Sequence, residues 1–278
     1  MRGAGARPET RYFISKVPAS NNFFISLPHR FAPTAWFHSF PAPILHEQHR
    51  RFYSHHLGQD IDMIVFGTWG YPVVIFPTSG GRHYEARDFN LIEAARPLVE
   101  AGRVKLFCVD SIDQYSWYAK HLPPAVRLQN HGFYDRFLSD ELVPMLRQEC
   151  HVDKIGVAGC SFGGYHALNF AFRHPDQVAH LFTMGAAFDI RQFLDGYHDD
   201  NVYYNNPPEY MPGAHNEHFQ WMNIILGTAE YDFCKESNYQ MARILSERGI
   251  PYRLDVKPFG DHDWPVWREM FAQYLSVI

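Results

Sequence analysis

The stretch Lys154-Ile155-Gly156-Val157-Ala158-Gly159-Cys160-Ser161-Phe162-Gly163-Gly164 decides the reading of this 278-residue chain. Its start, Lys154 to Ala158, is a short apolar run of the kind buried on both faces of a parallel sheet. From Phe162 to Arg173 the sequence reads as helix. Between the two lies a G-x-S-x-G pentapeptide. Alone, that pattern often arises by chance. Placed between a strand and a helix, it describes a sharp turn that lifts a serine hydroxyl clear of the sheet edge. The outer glycines, Gly159 and Gly163, leave room where a Cβ would clash. The helix start adds backbone N–H groups and the positive end of its dipole, both favourable to developing negative charge. Cys160, beside the serine, reads as a small buried side chain at a strand end rather than as the nucleophile.

Outward from this turn, strands and helices alternate. Arg51–His56 and Asp60–Phe66 read as two early strands, followed by Pro72–Phe76, Val104–Val109, Val178–Met184, Met222–Leu226 and Tyr252–Val256. Helices are expected over Asp88–Ala101, His131–Cys150 with a bend at Pro144, Glu236–Glu247 and Pro265–Val277. The alternation predicts an α/β fold: a mainly parallel twisted sheet with helices on both faces. Residues 187–220, rich in Tyr, Asn, Pro and His, break the pattern and read as a short irregular cap-like insertion. One catalytic domain is expected over 50–278. Residues 1–49, with five prolines between Pro18 and Pro43 and no acid between Glu9 and Glu47, are expected to be an irregular N-terminal extension.

A serine hydroxyl is a weak nucleophile at neutral pH and needs a base. Where such a turn tops a parallel sheet, the acid and then the histidine follow in chain order. The last loop, Phe259-Gly260-Asp261-His262-Asp263-Trp264, offers His262, the single histidine beyond His218. The loop Gly227-Thr228-Ala229-Glu230-Tyr231-Asp232 offers two carboxylates, and placement favours Asp232 over Glu230. An oxyanion hole needs two N–H donors. Phe162 supplies one. The loop Pro77-Thr78-Ser79-Gly80-Gly81-Arg82-His83 supplies the other, with Gly81 favoured and Gly80 or Arg82 as alternatives. His83, Trp117 and Tyr118 are expected to line the substrate pocket, Asp110 and Asp113 lying near them after the strand Val104–Val109.

With these loops placed, residues 50–278 resemble the esterase branch of the α/β-hydrolases, which includes the esterase D (S-formylglutathione hydrolase) and mycolyltransferase types. The resemblance rests on Ser79-Gly80-Gly81, Gly159–Gly164, Gly227–Asp232 and the run Gly260 to Trp267, GDHDWPVW. It implies the α/β-hydrolase fold and a serine esterase with Ser161, Asp232 and His262 as triad and Gly81 and Phe162 as oxyanion donors. It also implies acyl transfer to water with no metal or cofactor. The ester would be a small molecule or a polymer. Two rivals stand beside this reading: an acyltransferase using the same acyl-enzyme, and a non-catalytic binding protein of the same fold. The Tyr/Asn-rich stretch Asn201–Tyr210 departs from the esterase D type.

Composition narrows the field further. The formal charge is -5 and there is no basic stripe to neutralise phosphates, so no nucleic-acid partner is expected. No run of 18 apolar residues occurs, so no membrane span is expected. The four cysteines, Cys108, Cys150, Cys160 and Cys234, match no zinc or disulfide spacing and read as reduced thiols of a cytoplasmic protein. His215 and His218 share i,i+3 spacing near His198-Asp199-Asp200, but a metal site there is not the favoured reading. No dinucleotide or phosphate-loop fingerprint occurs. Homo-oligomerisation is left open.

Overall fold

A computed structural model describes residues 45–278. The expected extension therefore lies mostly outside the described residues. Eight strands form one sheet: β1 (Glu47–Ser54), β2 (Gln59–Phe66), β3 (Tyr71–Phe76), β4 (Val104–Val109), β5 (Ile155–Cys160), β6 (Val178–Met184), β7 (Asn223–Ala229) and β8 (Arg253–Lys257). Their order is β1-β2-β4-β3-β5-β6-β7-β8. β1 and β2 are antiparallel, as are β2 and β4; every pairing from β4 through β8 is parallel. The chain runs outward from β3 to β4 and then returns to the far side of β3 to form β5. The strand order therefore reverses between β3 and β5, and a crevice opens beyond their carboxyl ends.

The helices are α1 (Glu85–Asp88), α2 (Leu91–Glu100), α3 (Pro124–Arg136), α4 (Val143–Cys150), α5 (Phe162–Arg173), α6 (Asp200–Tyr203), α7 (Pro207–Tyr210), α8 (Lys235–Glu247) and α9 (Trp264–Leu275). Successive side chains of a strand point to opposite faces, and the core divides accordingly. Phe107 and Val109 of β4 join Tyr134, Leu146, Ala167 and Leu245 of α3, α4, α5 and α8 on one face. Leu106 and Cys108 join Leu91 and Ala95 of α2 and Phe271 of α9 on the other.

Three elements depart from the sequence reading. The helix expected from Asp88 is cut at Asn90, which sits at φ 59, a left-handed conformation that asparagine tolerates. The helix expected from His131 starts at Pro124, where a proline at the first position loses no needed hydrogen bond. It then widens into a π-helical turn over Phe137–Leu142. Pro144 has no N–H to offer the carbonyl of Asp140, and the wider turn absorbs that loss. β1 begins at Glu47, earlier than the expected Arg51.

The insertion at 187–220 consists of α6, α7 and three 3-10 turns. It is anchored at two places. Tyr210, Met211 and Phe219 enter the core beneath α5 and α8, and Ile190, Leu194 and Val202 pack with Trp117 and Phe162.

Candidate active site

Ser161 sits between β5 and α5, at the N-cap of the helix, with φ 52, ψ -122, a strained conformation for a residue with a Cβ. The turn closes tightly around it. A Cβ on Gly159 would lie 2.1 Å from the Gly163 carbonyl oxygen, and one on Gly163 2.4 Å from that of Phe76. Only glycine allows β3, β5 and α5 to meet this closely. The Ser161 N–H donates to Met184 O at 2.8 Å. The Phe162 N–H, next in the chain, has no acceptor among the described residues.

His262 and Asp232 come to this serine from the loops after β8 and β7. His262 Nε2 lies 2.9 Å from Ser161 Oγ, and His262 Nδ1 lies 2.8 Å from Asp232 Oδ1. The Asp232 side chain is 1% exposed. Its Oδ1 also accepts the Cys234 N–H at 2.7 Å, and its Oδ2 the Thr228 hydroxyl at 3.3 Å. The imidazole is braced on two sides, by Trp267 edge-on at 4.8 Å and by Phe233 at 4.0 Å. Glu230, the alternative acid, is occupied elsewhere: its Oε2 accepts the Phe259 N–H at 2.9 Å and pins the loop that carries His262.

The loop after β3 corrects one expectation. The Gly81 N–H donates to Thr78 O at 2.9 Å and so is not free to bind an oxyanion. Gly81 is instead approached by the chain itself: a Cβ there would fall 2.6 Å from the Glu85 carboxylate, which would have to shift. Glu85 accepts the Thr78 N–H and hydroxyl, each at 2.7 Å, and stiffens the turn. Burial pushes its carboxyl above the usual range, against the pull of those two bonds. The Ser79 N–H has no acceptor among the described residues.

Of the expected pocket-lining residues, Tyr118 is partly exposed and packs against Phe162 at 6.2 Å and Phe193 at 5.3 Å. Trp117 is a correction: it is fully buried, so it cannot touch a substrate in this arrangement. It supports Phe162 from below and packs on His131 at 4.7 Å. His83 is held at Asp110, with Nδ1 3.3 Å from a carboxylate that Arg82 already grips at 2.7 Å. Asp62, His83 and Asp110 bring three ligand-type atoms together, as do Asp232, Cys234 and His262. In the first group each carboxylate already faces an arginine; in the second the Asp232 carboxylate and His262 Nδ1 are already bonded to each other, and burial raises the Cys234 thiol. Cys160 is buried, and its thiol is pushed well above its usual range, as burial dictates. Burial, reinforced by Asp232, raises the Cys234 thiol to about 12. Phe193, Phe233 and Glu85 were missed by the sequence reading. Phe233 had one usable signal, its position directly after the expected acid.

An eight-stranded sheet of this order, with a strained serine facing a histidine–carboxylate pair at its switch point, defines an α/β-hydrolase-type serine ester hydrolase. The chain belongs to the family described as "Putative esterase", whose model matches residues 54–277. No curated protein matches it by sequence. Solved structures do match. A ferulic acid esterase superposes with a TM-score of 0.67 at 17% identity, over 84% of this chain and 96% of its own. An S-formylglutathione hydrolase from Agrobacterium tumefaciens gives 0.67 at 13%, over 83% and 93%. MPT51 from Mycobacterium tuberculosis gives 0.58 at 15%, over 84% and 97%. At these identities the likeness is one of fold. Among the described residues no helix is long and apolar enough to cross a membrane.

Proposed function

We propose that this chain hydrolyses carboxylic esters through an acyl-enzyme on Ser161, with His262 as base and acid and Asp232 as the carboxylate that orients it. One observation carries the reading: two hydrogen bonds, 2.9 and 2.8 Å long, link the hydroxyl of a positive-φ serine through an imidazole to a buried carboxylate. In the first step Ser161 Oγ attacks the carbonyl carbon while His262 Nε2 takes its proton. The carbonyl oxygen becomes negative, and the Phe162 N–H is positioned to receive it. We assign the second donor to Ser79, whose N–H is unengaged on the loop after β3. His262 then protonates the leaving alcohol. Water, deprotonated by the same nitrogen, releases the acid. Asp232 fixes the tautomer and stabilises the imidazolium throughout.

The test is hydrolysis of p-nitrophenyl acetate by wild type and three variants. Ser161→Ala should lose at least about a thousandfold in kcat, since removal of a triad serine removes the covalent route. Asp232→Asn should lose on the order of 10⁴ through the wrong tautomer. Glu230→Gln should stay within about tenfold, because its carboxylate meets no reacting group. Activity of Ser161→Ala within about tenfold of wild type rejects the assignment.

A further inference from the structure

Ser161 stands at the start of α5 and Arg173 at its end, twelve residues on. That separation is about 18 Å along a helix axis. Arg173 lines a second cleft, of about 650 Å³, together with residues of α3 and of α6 and the turn after it. The volume is that of a small-molecule site.

The α3 wall is one face of that helix. Leu128, Gln129, Gly132 and Arg136 recur there at three- and four-residue spacing. A glycine inside a helix weakens it relative to alanine. Packing does not explain Gly132, since a Cβ there would meet nothing within 4 Å. Its missing side chain instead keeps the α3 wall open between Gln129 and Arg136.

The charged residues of the lining are Asp135, Arg136 and Arg173. Two of them answer each other: Asp135 pairs with Arg173 at 3.0 Å and with His174 at 3.1 Å. Arg173 also donates to Tyr204 O at 2.9 Å, which occupies its fork. Arg136 differs. It is exposed, and no acid pairs with it among the described residues. Its guanidinium lies 5.0 Å from the centroid of the Phe133 ring, a contact that restrains it. The lining thus carries one positive charge in excess, on a planar fork that matches the two oxygens of a carboxylate. Gln129 lies seven residues back, about 10 Å along α3. Its amide has no partner among the described residues. From the α6 side comes Tyr204, 57% exposed, with a ring face free for stacking.

We propose that this cleft is a second binding site, remote from Ser161, and that it takes an elongated organic carboxylate. The charged end lies on Arg136, the chain passes over Gly132, a polar group reaches Gln129, and the apolar part lies against Tyr204. The site stands whether or not Ser161 is the nucleophile, because none of these residues belongs to the triad or its loops.

The probe is benzoylglycine, which joins a ring, an amide and a carboxylate in a chain of this length. Its neutral counterpart is benzoylglycinamide. Calorimetric titration into the full chain should give a Kd of about 1 mM or tighter for the acid. The neutral amide should bind about tenfold more weakly or worse, and Arg136→Gln and Gly132→Leu should each weaken the acid as much. Arg136 is exposed and leucine suits a helix better than glycine, so both variants should melt no lower than wild type. Arg243→Gln, an exposed arginine of α8 outside the lining, should leave the Kd unchanged. No binding of the acid up to about 10 mM overturns the site. An amide that binds as tightly as the acid overturns the carboxylate. A Kd unmoved in both cleft variants places the probe elsewhere and overturns the cleft.

Discussion

Ser161 holds its hydroxyl up at the cost of its own backbone. At φ 52, ψ -122 it occupies a region that residues with a Cβ avoid, and such a conformation costs on the order of 1–3 kcal/mol. The strain belongs to the Cβ and not to the hydroxyl, so two variants should separate. Ser161→Ala keeps the Cβ and keeps the strain. Ser161→Gly removes it but gives the unfolded chain more freedom, worth about 0.5–1 kcal/mol. The glycine variant should therefore be more stable than the alanine variant by about 1 kcal/mol in urea unfolding, with neither active. Equal midpoints would show that the turn is not strained. At this scale much of the site was legible from sequence. Ser161, Asp232 and His262 were singled out by their place after expected strands, and the structure brings those three side chains together. Gly81 misled, because a glycine pair signals close approach without saying which group approaches. Here it is the Glu85 carboxylate of the chain itself.

The elements around the turn depend on one another. A Cβ at position 163 would meet the carbonyl oxygens of Phe76 at 2.4 Å and Pro77 at 2.6 Å, where β3 ends and the Thr78–Ser79 turn begins. These are backbone atoms, and relief requires α5 to move away from β3. Gly163→Ala should therefore lower stability by about 3 kcal/mol, as overpacking against backbone does. It should also separate the Phe162 and Ser79 amides, so kcat falls in the fraction that folds. A melting temperature within a degree or two of wild type would contradict this packing. The elements that sequence resolved best are those with one strong period. The helix Phe162–Arg173 and the strands Val104–Val109 and Val178–Met184 were read with their observed ends. Those misread lack a clean period. The first turns of α3 bury Arg127 alongside Leu128, and an arginine does not register as a core residue in a hydropathy pattern. Asn90 sits between two apolar stretches that continue one another in helical phase, so only its left-handed backbone reveals the break.

Across the whole molecule, two buried or bridged groups make the fold sensitive to acid in different ranges. His131 lies among Trp117, Tyr165 and His166. Burial, and next the nearby His166, hold it down to about 3 from an ordinary 6.5. The folded state keeps this ring neutral while the unfolded chain protonates it. Its contribution is complete above pH 6.5 and falls as the pH drops toward 3. By pH 5 the loss should be about 2 kcal/mol. Glu149 works lower. Arg50 from β1 holds it at 2.6 Å, and Lys105 from β4 meets it at 2.6 Å, joining the edge strand to α4. The Arg50 hydrogen bond leads in lowering its carboxyl from 4.5 to about 2. A lowered carboxylate stabilises above its unfolded value and loses that effect as the pH falls from 4.5 toward 2. The group is only partly buried, so screening reduces its effect to about 1 kcal/mol. Urea unfolding between pH 7 and pH 3 should therefore show two slopes. His131→Asn should flatten the decline between pH 6.5 and 4.5 and make the steeper one below it shallower without abolishing it. Glu149→Gln should cost about 1 kcal/mol at pH 7 and flatten the decline below pH 4.5. If the two variants follow the wild-type curve in parallel through both ranges, neither group couples folding to protons and the acid response arises elsewhere.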